Sequence, residues 1–230
     1  MREEWNDRAQ RNWRRAIWAE ASDSEESFRA SGARDYRKYV EPFLSLQGID
    51  PSGLTALEIG AGVGRVSEFL CQNFRALVAV DISKAMLSIG RKRFKAENML
   101  WLCNDGRTLK AVADASVDFV FSYGVFQQFP DPATTTGYLK EAGRVLKAGG
   151  WCVFQVMNQP HISIRRWRLA LIISHRFRLP RIRIYRVGVF EACPIRMGIL
   201  RKACKQSGLE VRFIRHRFTR NTWVWARKVA

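Results

Sequence analysis

Acidic residues are scarce beside basic ones. Across 230 residues, 21 Asp and Glu face 39 Lys and Arg, a formal charge of +18. Histidine is scarcer still, with three in all and no cluster of ligands around them, which argues against a zinc centre. The five cysteines, Cys71, Cys103, Cys152, Cys193 and Cys204, form no C-x-x-C pair. An odd, scattered set, three of them in apolar runs, excludes a disulfide framework and points to reduced thiols in a cytosolic protein. Long apolar runs are also missing. In the C-terminal part the longest is Leu169 to Ile173, far too short to span a bilayer. The opening stretch MREEWNDRAQRNWRR is charged and has no apolar signal core, so a cytoplasmic location is expected. No internal repeat or low-complexity tract interrupts the chain.

What is present is ordinary globular material: 47% apolar and 12% aromatic residues. A chain of this length fits one large domain and buries a full core without covalent staples. The charge, however, is lopsided. From His161 to Ala230 there are 18 Lys and Arg against Glu191 and Glu210 alone, a net +16. The first 160 residues carry the remaining +2. The basic block attracts anionic partners through long-range, salt-screened forces.

Trp5, Ala9, Trp13 and Ile17 recur every four residues, predicting an amphipathic helix from Trp5 to Glu20. A polar turn at Ser22 to Ser27 precedes a second helical stretch, 28 to 46, which Pro42 kinks or interrupts. The cluster Ile49 to Gly53 closes this region as a turn. Strands and helices then alternate. Strands are predicted at Ala56–Ile59, Ala76–Val80, Met99–Cys103, Val117–Ser122 and Trp151–Val156. Helices are predicted at Arg65–Asn73, from an N-cap at Ser83 to about Lys95, and at Pro132–Val145, with Lys147 to Gly150 as a stop. A last helix over Pro194–Gln206 leads to strands at Leu209–His216 and Thr222–Ala226, whose short link forces antiparallel pairing. The pattern predicts an α/β fold: a doubly wound, mostly parallel sheet with one or two antiparallel edge partners.

Glu58-Ile59-Gly60-Ala61-Gly62-Val63-Gly64 stands where a strand hands over to a helix. Glycines there admit a ligand close to the backbone, and the helix start offers unpaired N–H groups. Asp81 ends the next strand, where a carboxylate takes both hydroxyls of a ribose. Asp105-Gly106 ends the third, where a purine amine finds an acceptor. Each also has a plain reading: a packing turn at 60–64, a helix cap at Asp81, an ordinary turn at 105–106. Three successive strand ends carrying such residues form a stronger signal than any one alone.

The runs ALEIGAGVGR, VAVDIS, CNDGR, VDFVFSYGVFQQFPD and LKEAGRVLKAGGWCVFQV resemble the class I S-adenosylmethionine-dependent methyltransferases, most closely bacterial small-molecule methyltransferases. The resemblance covers most of 1–158 and again 194–228. It implies a Rossmann-like, seven-stranded sheet with the last strand inserted antiparallel. It divides one domain into an N-terminal helical lid (1–50), a cofactor-binding core (54–158), a basic variable insertion (159–193) and a C-terminal helix and strand pair (194–230). It implies that Glu58, Gly60, Ala61, Gly62 and Gly64 line the methionine and ribose end of S-adenosyl-L-methionine. Asp81 would hold the ribose, Ile82, Asp105 and Gly106 would meet the adenine, and Ser122 and Tyr123 would face the methyl group. Trp5 or Arg8 would close over the cofactor. Many relatives carry a histidine where this chain has Gln128. Tyr123, Gln127, Gln128 and His161 are therefore the candidate catalytic residues. Gln128 forms hydrogen bonds but takes no proton, and His161 also has a plain reading as a surface-loop residue.

His161 to Arg186 mixes arginine with Trp, Leu, Ile and Phe. It fits a cover over an anionic small molecule, an interfacial helix on anionic lipid, a nucleic-acid patch or a solvated helix with snorkelling arginines. Two other functions share the sequence signals. One is an NAD(P)-dependent Rossmann oxidoreductase, against which stands Arg65 where G-x-G-x-x-G needs a glycine. The other is a noncatalytic cofactor-binding module that holds RNA or membrane through its basic tail. The expected partner is a small-molecule or lipid-like substrate, with a membrane surface ahead of nucleic acid, and no metal is expected.

Overall fold

The computed structural model describes residues 1–17, 24–158, 193–217, 219 and 221–229. His161 and the basic stretch 161–186 lie outside the described residues. Helix α1 (Arg2–Ile17), α2 (Glu25–Tyr39) and α3 (Glu41–Leu46) come first. Then follow β1 (Thr55–Ile59), α4 (Ser67–Asn73), β2 (Ala76–Asp81), α5 (Lys84–Arg93), β3 (Met99–Cys103), β4 (Val117–Ser122), α6 (Pro132–Val145) and β5 (Leu146–Val156). The described chain closes with α7 (Met197–Gln206), β6 (Leu209–Arg215) and β7 (Thr222–Lys228).

The strands form a single seven-stranded sheet in the order β3-β2-β1-β4-β5-β7-β6. The pairs among β1 to β5 are parallel, and β7 runs antiparallel to both β5 and β6. β7 is thus inserted between β5 and β6 as the antiparallel strand of the described sheet, and β6, at the edge, runs in the direction of β1 to β5. Central strands read as near-continuous apolar runs because both faces are covered. Alternate residues serve the two faces. Leu57, Ile59, Val120, Phe154 and Val224 pack with Leu139 of α6 and Leu200 of α7. Ala56, Phe119, Phe121, Trp151 and Trp223 pack with Phe43 of α3 and Leu70 of α4.

Several boundaries move for identifiable reasons. α1 breaks at Asn12, whose backbone is extended (φ −165°, ψ 90°) and whose Oδ1 accepts the Arg15 N–H at 3.1 Å, so the helix stops and is capped afresh. α2 starts earlier than Ser27, because Ser24 is its N-cap and accepts the Ser27 N–H. Pro42 falls in the first turn of α3, where a missing N–H costs no bond. α6 ends at Val145, ahead of Lys147 to Gly150, but β5 begins already at Leu146 and includes both glycines as an irregularity before Trp151. α4 begins at Ser67 rather than Arg65.

Candidate active site

β1 hands the chain to the glycine loop at the carboxyl rim of the sheet. The Gly60 and Ala61 N–H groups both donate to the Val80 carbonyl, at 2.7 and 3.0 Å, tying the loop to β2. Gly60 has φ +77°, and a Cβ there would lie 2.2 Å from Val125 Cγ2, so a side chain is excluded by conformation and by space. The Gly62 N–H donates to Asp81 Oδ2 at 2.9 Å, and Asp81 Oδ1 accepts the Ser83 N–H at 2.8 Å. Burial raises the Asp81 carboxyl above the usual range, and the N–H groups of Ser83, Gly62 and Ile82 oppose that. The carboxylate thus fixes the loop and the start of the next turn together.

The third strand end joins them. The Asn104 N–H donates to the Asp81 carbonyl at 3.0 Å. A Cβ on Gly106 would lie 2.5 Å from Ile82 Cδ1, so these two residues pack directly together. Asp105 spends its carboxylate on its own turn. Its Oδ1 accepts the Arg107 and Thr108 N–H groups at 2.8 and 2.7 Å, and its Oδ2 accepts the Thr108 hydroxyl at 2.8 Å. Slight burial pushes its pKa up, but the Thr108 and Arg107 N–H groups prevail and hold it below the usual value.

Glu58 is turned inward, 4% exposed, and accepts the Ser67 hydroxyl at 2.5 Å. It joins the strand before the loop to the helix after it. Burial pushes its pKa up to about 7, against the Ser67 bond and the Arg65 charge. The unfolded carboxyl ionises near 4.5. Between those values the folded chain binds more protons, so stability falls as pH rises from about 4.5 to about 7. Glu58→Gln is expected to flatten that part of the profile. Urea midpoints at pH 5 and 7.5 check this, and an unchanged slope refutes it.

On the β4 side, the Ser122 hydroxyl donates to the Ile59 carbonyl at 3.0 Å. The Tyr123 ring lies 5.3 Å from Tyr39 of α2 and 5.1 Å from Trp223 of β7. Burial chiefly, then the nearby Asp35 and Tyr39, push the Tyr123 phenol far above its ordinary pKa, so it is a neutral donor and no base. Gln155 Oε1 accepts the Gly124 N–H at 3.1 Å, and its Nε2 donates to Gln127 Oε1 at 3.2 Å. Gln128 Nε2 donates to the Gly124 carbonyl. The three glutamines therefore brace the 124–128 turn.

The N-terminal helices lie across this rim. Asn6 Oδ1 accepts the Ser83 hydroxyl at 2.7 Å, and Arg2 donates to the Asn104 carbonyl at 2.8 Å. Arg8 stacks over Trp5 at 4.8 Å and pairs with Glu4. Sequence reading missed the strongest tie. Arg65, next after the loop, pairs with Asp35 of α2 at 2.6 Å, both nearly buried, and also reaches Ser31 at 3.3 Å. Its guanidinium lies 5.7 Å from the Tyr123 ring centre. Ser31, Asp35 and Tyr39 stand four residues apart on one face of α2, a spacing visible in the sequence.

Residues 57–154 match the family model for a methyltransferase domain. The chain is 32% identical over 136 residues to the malonyl-[acyl-carrier protein] O-methyltransferase of Marinomonas sp. (strain MWYL1), covering 56% of this chain and 48% of that protein. It is 30% identical over 133 residues to the demethylmenaquinone methyltransferase of Tropheryma whipplei (strain Twist), covering 57% and 52%. The chain thus spans about half the length of the curated relatives it matches. The crystal structure of magnesium protoporphyrin IX methyltransferase from Synechocystis PCC 6803, with SAH bound, superposes with a TM-score of 0.68 at 16% identity, over 99% of this chain and 97% of that one. Within residues 57–154, then, the chain is similar to a methyltransferase domain, and there its sheet carries a glycine loop strapped to an acid at the end of β2.

Proposed function

We propose that this protein transfers a methyl group from S-adenosylmethionine to a small-molecule or lipid-like acceptor. The bond between the Gly62 N–H and Asp81 carries the reading, because it brings the glycine loop and the ribose acid to one point on the rim. The residues present fit the cofactor. Asp81 would hold the ribose hydroxyls. Ile82 and Gly106 would flank the adenine, with Asp105 shaping that turn. Gly60, Ala61, Gly62 and Gly64 would cradle the methionyl end, with Glu58 supporting them from below through Ser67. Ser122 and Tyr123 would face the transferred group.

When bound, the cofactor supplies a methyl group already activated on a sulfonium. This chain's part is then positioning. Holding reactants in line is worth roughly 7–11 kcal/mol without acid or base chemistry. Tyr123 donates a hydrogen bond from a neutral phenol, and Gln127, Gln128 and Gln155 hold the turn beside it. The helices of 1–50 serve as the lid, 54–158 hold the cofactor, and 194–230 complete the sheet. The names of the relatives, which act on carrier-linked or quinone acceptors, support a small or lipid-like substrate.

Thermal melting with S-adenosylhomocysteine against NADH tests the reading. S-adenosylhomocysteine is expected to raise Tm by several degrees through mass action, and NADH to leave it unchanged. The reverse result would establish the nicotinamide reading. A screen of small-molecule and lipid fractions with a labelled methyl donor then identifies the acceptor.

A further inference from the structure

Cations are used differently in the two parts of this chain. In the body of the fold many are matched by carboxylates, as in Arg65 with Asp35, Arg93 with Glu25, Arg144 with Glu141 and Lys147 with Asp118. Among the described residues after 192, one ion pair forms, Arg212 with Glu210 at 2.7 Å. The sequence from His161 onward offers only Glu191 besides, so this part of the chain cannot neutralise itself.

Three of these cations, Arg201, Lys202 and Lys205, stand on α7. Leu200, Ala203 and Cys204 face the core, leaving an exposed arc of Gly198, Ile199, Arg201, Lys202, Lys205 and Gln206. That arc carries three cations, no acid and an isoleucine left 44% exposed. Beside it, where α7 meets the edge strand, opens a groove of about 540 Å³. Arg201 and Lys205 stand on one side of it, while Leu209, Val211 and the exposed Val229 supply apolar lining. Glu210 also borders the groove, already engaged by Arg212.

Cations beside an apolar trough are complementary to an amphiphile: a negative headgroup on a hydrocarbon chain. A single-stranded nucleic acid would instead want flat rings to stack on, and the α7 arc offers none, while a duplex would leave the apolar trough unused. We propose that the α7 face and its groove form a docking surface for an anionic phospholipid bilayer. Arg201, Lys202 and Lys205 meet the headgroups, and Ile199 and Val229 enter the apolar boundary. Among the described residues no helix is long and apolar enough to cross a membrane, so this contact is interfacial. The groove is lined from the start of β6 and the end of β7, so it opens at the end of the sheet away from the active-site rim. The surface stands independently of the methyl-transfer reading.

Co-sedimentation of the full chain with vesicles tests it, using phosphatidylcholine alone and phosphatidylcholine with about one third phosphatidylglycerol. Binding is expected only to the anionic vesicles and is expected to weaken steeply at high salt. Arg201→Glu/Lys202→Glu/Lys205→Glu is expected to lower partitioning by about a hundredfold or more, since each cation contributes roughly a factor of five near such a surface. Ile199→Asp should weaken binding even at low salt. Far-UV circular dichroism and melting of each variant show that its fold is intact. No sedimentation with anionic vesicles overturns the proposal. So does binding that both variants leave unchanged, or a preference for tRNA that the triple variant abolishes while vesicle binding persists.

Discussion

Asp81→Ala is expected to reduce S-adenosylhomocysteine affinity by about 10²–10⁴-fold while the chain remains folded. A carboxylate holding two ribose hydroxyls makes two charge-assisted bonds, each worth roughly 1.5–3 kcal/mol. The same substitution releases the Gly62 N–H, so the loop loses the acceptor that fixes it. Asp105→Ala is the informative contrast. Its carboxylate already serves the Arg107 and Thr108 N–H groups, and it acts on the adenine side mainly by shaping a turn. That variant is expected to lose about tenfold or less, the worth of roughly one neutral hydrogen bond. Isothermal titration of both variants decides the matter. If Asp81→Ala binds like the parent chain, the rim assignment fails.

Breaking the Asp35–Arg65 pair is the second large effect. Both side chains are at most 7% exposed and meet at 2.6 Å. Removing one partner strands the other charge in the interior, at a cost of about 3–5 kcal/mol. For a chain of this size that is a fall in Tm of roughly 6–20 °C. The backbones are also close here, since a Cβ on Gly32 would lie 1.9 Å from the Arg65 carbonyl oxygen. Asp35→Ala and Arg65→Ala should each show the loss by thermal melting. Arg65→Lys should recover only part of it, because the Nη1 that serves both Asp35 and Ser31 stands at the end of a side chain longer than lysine's. Asp35→Leu/Arg65→Met should recover most of the stability, since apolar side chains of similar size avoid the desolvation cost. A change under about 2 °C in Asp35→Ala would show that α2 is not held by this pair.

The parallel core was legible because its signals are local. ALVAV and VDFVFS are apolar runs of strand length, and each ends on residues that stop a strand. Ser83 and Pro132 sit at the helix starts their chemistry favours. The stretch Lys147 to Gly150 was half legible. The helix does end before it, but β5 has already begun at Leu146, and the glycines fall in an irregularity between the Leu146 and Trp151 pairings with β4, where β7 pairs only from Trp151 onward. The break at Asn12 was hidden, since the four-residue repeat of Trp5, Ala9, Trp13 and Ile17 continues across it.

The candidate site divides in the same way. Gly60 to Gly64, Asp81 and Asp105-Gly106 declared themselves by residue type and by position at strand ends. Tyr39, Asp35 and Gln155 did not, because nothing in their immediate sequence distinguishes them from other helix or strand residues. Gln127 and Gln128, candidates for chemistry by sequence, also bond to Gln155 and to the Gly124 carbonyl in the turn after β4, contacts that no local pattern records.

The sequence alone settled the order of strands and helices, the glycine loop and the acid that follows it, and the concentration of positive charge in the last third. Those are properties of neighbouring residues, and hydrophobic period, turn chemistry and charge express them directly. Only the tertiary structure decided that Asp35 lies against Arg65, that Gln155 holds the turn after β4, and that α7 keeps its cations unmatched beside an apolar groove. Such facts depend on residues far apart in the chain that burial and strand pairing bring together, and no local pattern records which distant partner each will meet.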